Sequence, residues 1–481
     1  MRPKILLNAV LPEQNDIYSR AKHNNSIKQL MSLGSYKYVN IGYELIDQQD
    51  SVLHAVFLLT PSLRMSVSSE INATSKSNNF AGPGLKLSYK SRNLFGGAEL
   101  FSIGFNGSFE KQVKGEGRGD TAYELSIDAS LGVPRLVPFK LRKTNTPYLP
   151  STTINIGAGT FARVSLYRFT TLNTGLEYSK RQRIFINHIL RPIDISMTKL
   201  SMTTPEFEDY LDQNPSIKKS FDEQFIIGFS YNYIINHLTD KDKPQYYINL
   251  GFDPSGNLAG LTKRLITGQR NSPDNQIDIF GAPVAQYYRI RGDFRYYFRT
   301  GSESLLATRI YGGVGVPYGS STVMPYIKQF YAGGTNSLRA FRARSLGPGT
   351  YSSPDSLRNI LVDQTGEIKL EANLEYRFPM VKYLKGSFFA DCGNIWLVNA
   401  DSLRPGGKFD VNRFYKDVAI GIGAGLRIDV EVVVLRLDWA FPIRKPWLPE
   451  GDRWTIDKIN LVDRKWRKDN LIWNISIGYP F

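Results

Sequence analysis

From about residue 66 onward, apolar and polar side chains alternate over stretches of roughly ten positions, each bounded by Gly, Asn, Asp or Pro. Successive side chains of an extended chain point to opposite faces, so a period of two marks a strand with one apolar and one polar face. In LEANLEYRF, Leu370, Ala372, Leu374, Tyr376 and Phe378 alternate with Glu371, Asn373, Glu375 and Arg377. IGIGAGLRI sets Ile420, Ile422, Ala424, Leu426 and Ile428 against Gly421, Gly423, Gly425 and Arg427, and LRLDWAFP repeats the theme from Leu435. About sixteen such strands are predicted, beginning near residues 66, 82, 98, 121, 151, 164, 183, 224, 245, 284, 305, 366, 384, 418, 432 and 470. A soluble sandwich would show its charged face to water and use fewer strands. Here Gly, Arg, Asp and Glu recur on the polar face of strand after strand, which suits a wet lumen inside a transmembrane barrel, whose strands need ~9–11 residues each.

Connection lengths support that reading, because such barrels have short turns on one side and long loops on the other. With the first strand running outward, the connections 93–97, 299–304, 379–383 and 430–431 are inner, and 199–222, 262–283, 317–365, 397–416 and 444–468 are outer. The inner stretch PRLVPFKLRKTNTPYLP at 134–150 is the one exception to this parity. The expected fold is therefore mainly β: a 16-stranded antiparallel transmembrane β-barrel over 66–481, preceded by a small α+β domain over 1–65. In that first segment the pattern predicts a strand near ILLNAVL, a helix near NSIKQLMSLG closed by Gly34, and strands YKYVNIGYELI and VLHAVFLLT around the turn DQQDS.

Composition sharpens the picture. The chain has 27 Tyr, 27 Phe and 41 Gly against one cysteine, Cys392, so no disulfide framework exists. No apolar run is long enough to cross a bilayer as a helix. The start, MRPKILLNAVLPEQ, lacks the features of a secretory signal, so export would imply a natural beginning upstream. A net charge of +16 favours an anionic neighbour. The segment 444–468 is basic and carries Trp447, Trp454 and Trp466; as an outer loop beside a membrane it suits lipopolysaccharide phosphates or a surface partner better than nucleic acid, and a solvated basic loop fits it equally well. No G-x-S-x-G, H-E-x-x-H, Walker loop or paired-Cys motif occurs, and His23, His54, His188 and His237 lie far apart. Neither catalytic residues, nor a metal, nor a cofactor are expected.

The long loop 317–365 contains YAGGTNSLRAFRARSLGPG, in which Gly333 and Gly334 permit sharp turns and Arg339 offers a planar five-donor head. These residues resemble the outer-membrane assembly factor family, which includes the BamA- and TamA-type insertases and the two-partner secretion transporters. In that family a long loop folds into the barrel and presents an Arg within a Val/Ile-Arg-Gly-Phe/Tyr tetrad, matched here by Leu338, Arg339, Ala340 and Phe341, with Ala340 in place of Gly. The resemblance implies that the loop Arg meets inward carboxylates on the next two strands, which look like Glu375 and Asp391, the latter in the strand motif FFADCGNIW with Phe389 and Gly393. Residues 1–65 resemble the POTRA domain nearest the barrel, the last of several. Stretches such as INHILRPIDISMTKLS look most like the Bacteroidetes branch.

The chain ends on LIWNISIGYPF, where Trp473, Ile475, Ile477, Tyr479 and Phe481 fall on one extended face. This end resembles the β-signal of outer-membrane proteins, so a strand is expected to run to Phe481 and anchor there, with Trp473, Gly478 and Tyr479 in the same signal. The first barrel strand, MSVSSEINATS, has a thin apolar face carrying Val67 and Ile71, and Pro480 cannot donate a ladder bond. A weak seam between first and last strands follows. The resemblance implies insertion of nascent outer-membrane proteins at that seam, in the outer membrane with the POTRA domain in the periplasm, aided by accessory periplasmic or lipoprotein subunits and touching lipids. Its alternatives are translocation of a dedicated polypeptide or assembly of a subset of surface proteins.

Overall fold

The computed structural model describes residues 1–45, 52–75, 80–112, 121–139, 145–164, 166–213, 218, 221, 223–238, 244–268, 275–352, 364–430 and 433–481. The predicted turn DQQDS lies outside them, as do residue 431 of an inner turn and 353–363 of the long loop.

The N-terminal module consists of helices α1 (Pro3–Ala9) and α2 (Arg20–Ser32) packed on the hairpin β1 (Tyr36–Leu45) and β2 (Leu53–Pro61). Here one expectation is corrected: ILLNAVL is helix α1 rather than a strand. Pro3 occupies the first turn, where its missing N–H costs nothing, and Ile5, Leu6, Ala9 and Val10 share a face at i, i+4 spacing that packs against Leu30 and Leu33. A short apolar run carries no periodicity that separates helix from strand, and in this one the tertiary contact decided. Helix α2 is capped by the Ser19 side chain and closes at Gly34, whose φ is +68°.

Sixteen strands then form one antiparallel sheet in which each pairs with the next along the chain. They are β3 (Met65–Ser75), β4 (Phe80–Arg92), β5 (Leu100–Gln112), β6 (Thr121–Val133), β7 (Ser151–Arg163), β8 (Tyr167–Arg183), β9 (Ile186–Thr203), β10 (Gln224–Asn236) and β11 (Gln245–Ser255). After the two-residue strands β12 (Asp278–Ile279) and β13 (Ala282–Pro283), which pair only with each other, come β14 (Tyr287–Arg299), β15 (Leu305–Pro317), β16 (Ile368–Val381) and β17 (Leu384–Trp396). The sheet ends with β18 (Ala419–Asp429), β19 (Val434–Arg444) and β20 (Ile472–Ile477). Each starts within a few residues of its expected position, because alternation is a local signal that survives any tertiary arrangement.

The faces also separate as the alternation requires. Ile156, Ile290, Ile310 and Phe388 stand exposed on the outside, while Glu371, Glu375, Asp391, Arg427 and Asp438 are buried on the inside. The long inner stretch 134–150 is explained by what it touches. Gln29 of α2 donates to the carbonyl of Thr146, Asn25 bonds Asn145, and Leu149 and Ala98 enter the core of the N-terminal module. The described residues Asn145, Thr146 and Leu149 of this exceptional stretch, with Ala98 of the preceding inner turn, thus seat the module against the barrel.

The two ends of the sheet are β3 and β20, and among the described residues no ladder joins them. The terminal strand is short: β20 stops at Ile477 and does not reach Phe481, which corrects the expectation of a strand running to the last residue. Gly478 adopts a φ of +86°, a left-handed conformation open to glycine at no steric cost, and the chain turns inward there.

Candidate functional site: a loop pinned inside the barrel

The loop between β15 and β16 enters the lumen and places Arg339 among the strands that follow it. Gly333 makes the entry turn with φ +92°, and a Cβ there would lie 2.1 Å from the carbonyl oxygen of Arg342. Gly334 follows with positive φ and its N–H donates to the carbonyl of Phe341, closing the tip. Leu338 and Phe341 flank the arginine and are buried with Leu346, Phe389 and Ile395, and Trp447 of the last outer loop packs edge-on against Phe341.

Arg339 is fully buried. Its Nε donates to Oδ2 of Asp391 at 2.8 Å and its Nη2 to Oδ1 at 2.8 Å, a bidentate fork, and its backbone N–H donates to Oδ2 at 3.0 Å. Nη1 donates to Oε2 of Glu375 at 2.5 Å. The guanidinium carbon sits 3.5 Å above the ring of Phe389, so the cation is held edge-on by carboxylates and face-on by an aromatic. Burial alone would pull this group down, but Asp391 and Glu375 more than reverse that, and Arg339 is held above its ordinary value. Ala340, where the resembled tetrad has Gly, is buried and is not among the residues of positive φ. Its methyl faces Gly421 on β18, where an added Cβ would lie 2.2 Å away, so the opposing wall has no room for a second side chain. Gly393 sits where the backbones of β16 and β17 approach closely, with Leu370 O only 2.4 Å from a built Cβ.

Sequence reasoning singled out Arg339, Glu375 and Asp391 but missed how far the network extends. Oε1 of Glu375 accepts from Arg377 Nε at 2.8 Å and from Arg427 Nη2 at 3.1 Å, and Arg427 Nη1 donates to Asp438. Arg436 donates to the carbonyl of Thr335 and to Oδ1 of Asn336, both at 2.8 Å, and Arg309 joins Glu371 at 2.9 Å. Asn474 on β20 donates to the carbonyl of Arg339 at 2.9 Å, which ties the terminal strand to the loop tip. Alternation puts Arg427, Arg436 and Asp438 on the lumen face; the register that brings them together is not a local property of the chain.

The residues assigned to the seam fall into two groups. Val67 and Ile71 on β3, and Trp473 on β20, stand on the outer face and are exposed, with Trp473 edge-on to Trp439 at 5.4 Å. Tyr479 and Phe481 are inside instead. The Arg377 guanidinium covers both rings, 4.2 Å from the centre of Tyr479 and 5.9 Å from that of Phe481, and Phe481 packs on Tyr297 and Ala307 at the inner end of the lumen. Of the three tryptophans in the basic outer segment, Trp447 and Trp466 are used in packing, the latter on Phe441, and Trp454 lies beside Arg444. Arg444 and Arg453 of that segment turn to the carbonyls of Lys416 and Val418. On the far side of the lumen, β3 to β7 line a polar cavity of about 430 Å³ that includes Ser68, Glu70, Lys86, Lys90, Asn106 and Asp128. Among the described residues no group of His, Cys, Asp and Glu is arranged to hold a metal ion.

Comparison with known proteins fits this architecture. Over 116 residues, 23% of this chain and only 14% of that relative's length, the sequence is 27% identical to the outer membrane protein assembly factor BamA of Neisseria meningitidis serogroup B. The fold is similar to the crystal structure of BamA from Haemophilus ducreyi lacking POTRA domains 1–3, with a TM-score of 0.62, 17% identity, and 92% of this chain and 79% of that one covered. It is also similar to CdiB from Acinetobacter baumannii, with a TM-score of 0.51, 11% identity, and 99% and 71% covered. Residues 93–478 match the Omp85 superfamily domain, from the first inner turn to the end of the last strand, and the chain therefore belongs to the Omp85 superfamily.

Proposed function

We propose that this protein is an outer-membrane assembly factor that inserts nascent barrel proteins by offering them a strand edge at the seam between β3 and β20. The observation that carries the reading is the sheet's open ends: no described ladder joins β3 to β20, and β20 is only 6 residues long. An edge strand exposes unpaired N–H and C=O groups, and an incoming strand satisfies them by β-augmentation without any nucleotide or cofactor. The thin apolar band of β3, with Val67 and Ile71 on its outer face, gives the membrane little to grip there. In this reading the N-terminal α+β module is a periplasmic POTRA domain that delivers substrates to the barrel mouth. The loop pinned by Arg339, Glu375 and Asp391 stiffens the β16–β20 side of the barrel, next to the moving edge. Membrane lipids and accessory subunits are the remaining partners.

Site-directed crosslinking tests this. Cysteines introduced at Ser66, Ser68 and Glu70 of β3 should capture the terminal strand of a substrate barrel, and cysteines on β11 on the opposite wall should not. Capture from β11 alone would sink the proposal. A second reading, passage of a dedicated polypeptide through the lumen, draws on the polar cavity along β3 to β7. Depletion separates the two: loss of many outer-membrane barrels supports assembly, loss of one secreted protein supports transport, and loss of a few surface proteins supports a specialised assembly factor.

A further inference from the structure

The connection between β11 and β14 folds back over the outside of the barrel rather than over its mouth. Phe225 and Ile227 on the outward face of β10, with Ile195 and Met197 on β9, are covered by Ala282, Val284, Ile279 and Ala259. The N–H of Gly256 donates to the carbonyl of Ile227 and that of Ala285 to the carbonyl of Phe225, so the segment is stitched to the outer end of β10. Ala259 belongs to the helix Asn257–Thr267, which thus lies against the outer wall at its outer rim.

The other side of that helix is apolar and uncovered. Leu258, Leu261, Leu265 and Ile266, at i, i+3, i+7 and i+8, are 63%, 54%, 77% and 77% exposed. That spacing is one continuous helical stripe. The polar side is fixed separately: Lys263 Nζ donates to Oδ1 of Asn275 at 2.7 Å and to the carbonyls of Asn275 and Gln276 at 2.8 and 3.0 Å. Beside the helix, Phe280 is held at a φ of +54° and is 84% exposed. Phe280 and Gly281, both of positive φ, form the two-residue turn between β12 and β13, which requires that conformation, and the turn leaves the ring uncovered.

The helix also marks a level. Its first residue, Asn257, bonds the hydroxyl of Tyr318, which also donates to the carbonyl of Ser255, and Tyr318 stacks on the outward-facing Tyr288 with ring centres 4.7 Å apart. Below that tyrosine pair the outer wall continues with the exposed Phe252, Leu250 and Ile290. Tyrosines at the edge of an apolar band are the signature of a membrane–water interface.

We propose that the helix Asn257–Thr267 lies in the plane of the membrane at its outer surface, its leucine stripe and Phe280 among the acyl chains and Arg264 at the headgroup phosphates. This inference rests on the reading of the sheet as a membrane barrel whose N-terminal module is on the inner side. The occupant is lipid rather than a protein partner because the helix is seated on the outward face of β9 and β10, beside the exposed apolar wall of Phe252, Leu250 and Ile290. In-plane helices of this kind sit about 5–10 Å into the headgroup and acyl boundary. On a barrel already anchored by its strands, the helix fixes the depth and tilt of the β9–β11 wall, opposite the seam.

Fluorescence in vesicles tests it. In a Cys392→Ser background of the full chain, an environment-sensitive nitrobenzoxadiazole label is placed at Leu265→Cys, Ile310→Cys or Val462→Cys, and the protein is reconstituted into phosphatidylethanolamine/phosphatidylglycerol vesicles. The label at 265 should emit in the blue-shifted range of the wall position 310, resist aqueous iodide, and be quenched by a nitroxide lipid labelled near the headgroup. The label at 462 should be open to iodide. A label at 265 that is quenched by iodide and untouched by the lipid nitroxide, while 310 is quenched by lipid, overturns the in-plane helix and leaves the barrel reading intact. Shielding of 265 from both quenchers also overturns it, by showing a protein contact over the stripe. Failure of a lipid whose nitroxide sits deep in the acyl chain to quench the label at 310 would overturn the barrel reading itself.

Discussion

Replacing Arg339 with alanine is the most direct test of what holds the loop inside the barrel. The substitution removes the fork to Asp391 and the bond to Glu375 while both carboxylates stay buried. Glu375 keeps Arg377 and Arg427 as partners, so the greater loss falls on Asp391, which keeps the side-chain amide of Asn373 at 3.0 Å and the backbone N–H of residue 339. Removing one member of a buried ion pair typically costs about 3–5 kcal/mol. Each ~1.4 kcal/mol is a factor of ten in an equilibrium, so the undocked loop should gain roughly two to three and a half decades in population. Trypsin reports this population at Arg342 and Arg344, because cleavage tracks the open fraction when reclosing is fast. Arg339→Lys keeps the charge but cannot form the fork, and should fall between wild type and alanine. The Arg339→Ala, Asp391→Ala double-mutant cycle should show the two losses to be strongly non-additive. If the alanine variant is cleaved at the wild-type rate, the apolar cluster of Leu338, Phe341 and Leu346 suffices to hold the loop and the ionic explanation is refuted.

Three further outcomes follow from the same geometry. Gly421→Ala should expose the loop to trypsin, since its methyl would meet that of Ala340, and Ala340→Gly in the same chain should restore protection; a lack of rescue would disprove the contact. Arg377→Ala should free the last residues and speed carboxypeptidase digestion from Phe481 by roughly tenfold, given ~1–2 kcal/mol for a desolvated cation–π contact, whereas Arg377→Lys should change little. The inner turn before β5 gives a pH prediction. Burial pushes the Glu99 carboxyl up, but its own backbone N–H, those of Gly97 and Phe95, and the Arg135 guanidinium pull it further down, so the group lies below its ordinary value. A depressed carboxyl contributes stability that is present above its unfolded value and is lost as pH falls through the folded one. Because Ala98 and Gly96 of this turn contact the N-terminal module, hydrogen exchange in α1 should rise only as pH drops below the usual carboxylate range, and Glu99→Gln should flatten that dependence.

What the sequence disclosed follows the range of each physical signal. Alternation is carried by neighbouring residues, so the barrel strands and their faces were legible down to the placement of Glu375 and Asp391 in the lumen. Partner choice is not local. Arg309, Arg377, Arg427 and Arg436 share the lumen face with Arg339, and only the register between strands decides which guanidinium meets which carboxylate. The chain end misled for a related reason: Tyr479 and Phe481 continue the alternation of Trp473, Ile475 and Ile477, yet one left-handed residue at Gly478 turns them from the outer face to the inside.

The register that the sequence could not supply joins the loop to the seam. Asn474 of β20 holds the carbonyl of Arg339, and Arg436 bonds both Ser476 of β20 and the loop residues Thr335 and Asn336. Arg377 bonds Glu375 on one side and covers Tyr479 and Phe481 on the other. The side-chain bonds of Asn474 and Ser476 on β20 therefore lead, directly or through Arg436, to the loop that carries Arg339, while Tyr479 in the tail also bonds Asp429. Lifting the last strand away from the lumen strips hydrogen bonds from the loop tip and leaves buried groups unsatisfied, a cost that a free edge strand would not carry. In the proposed mechanism the pinned loop is therefore a counterweight to seam opening: its bonds hold β20 inward, and an incoming strand would have to offer enough ladder bonds to offset that hold.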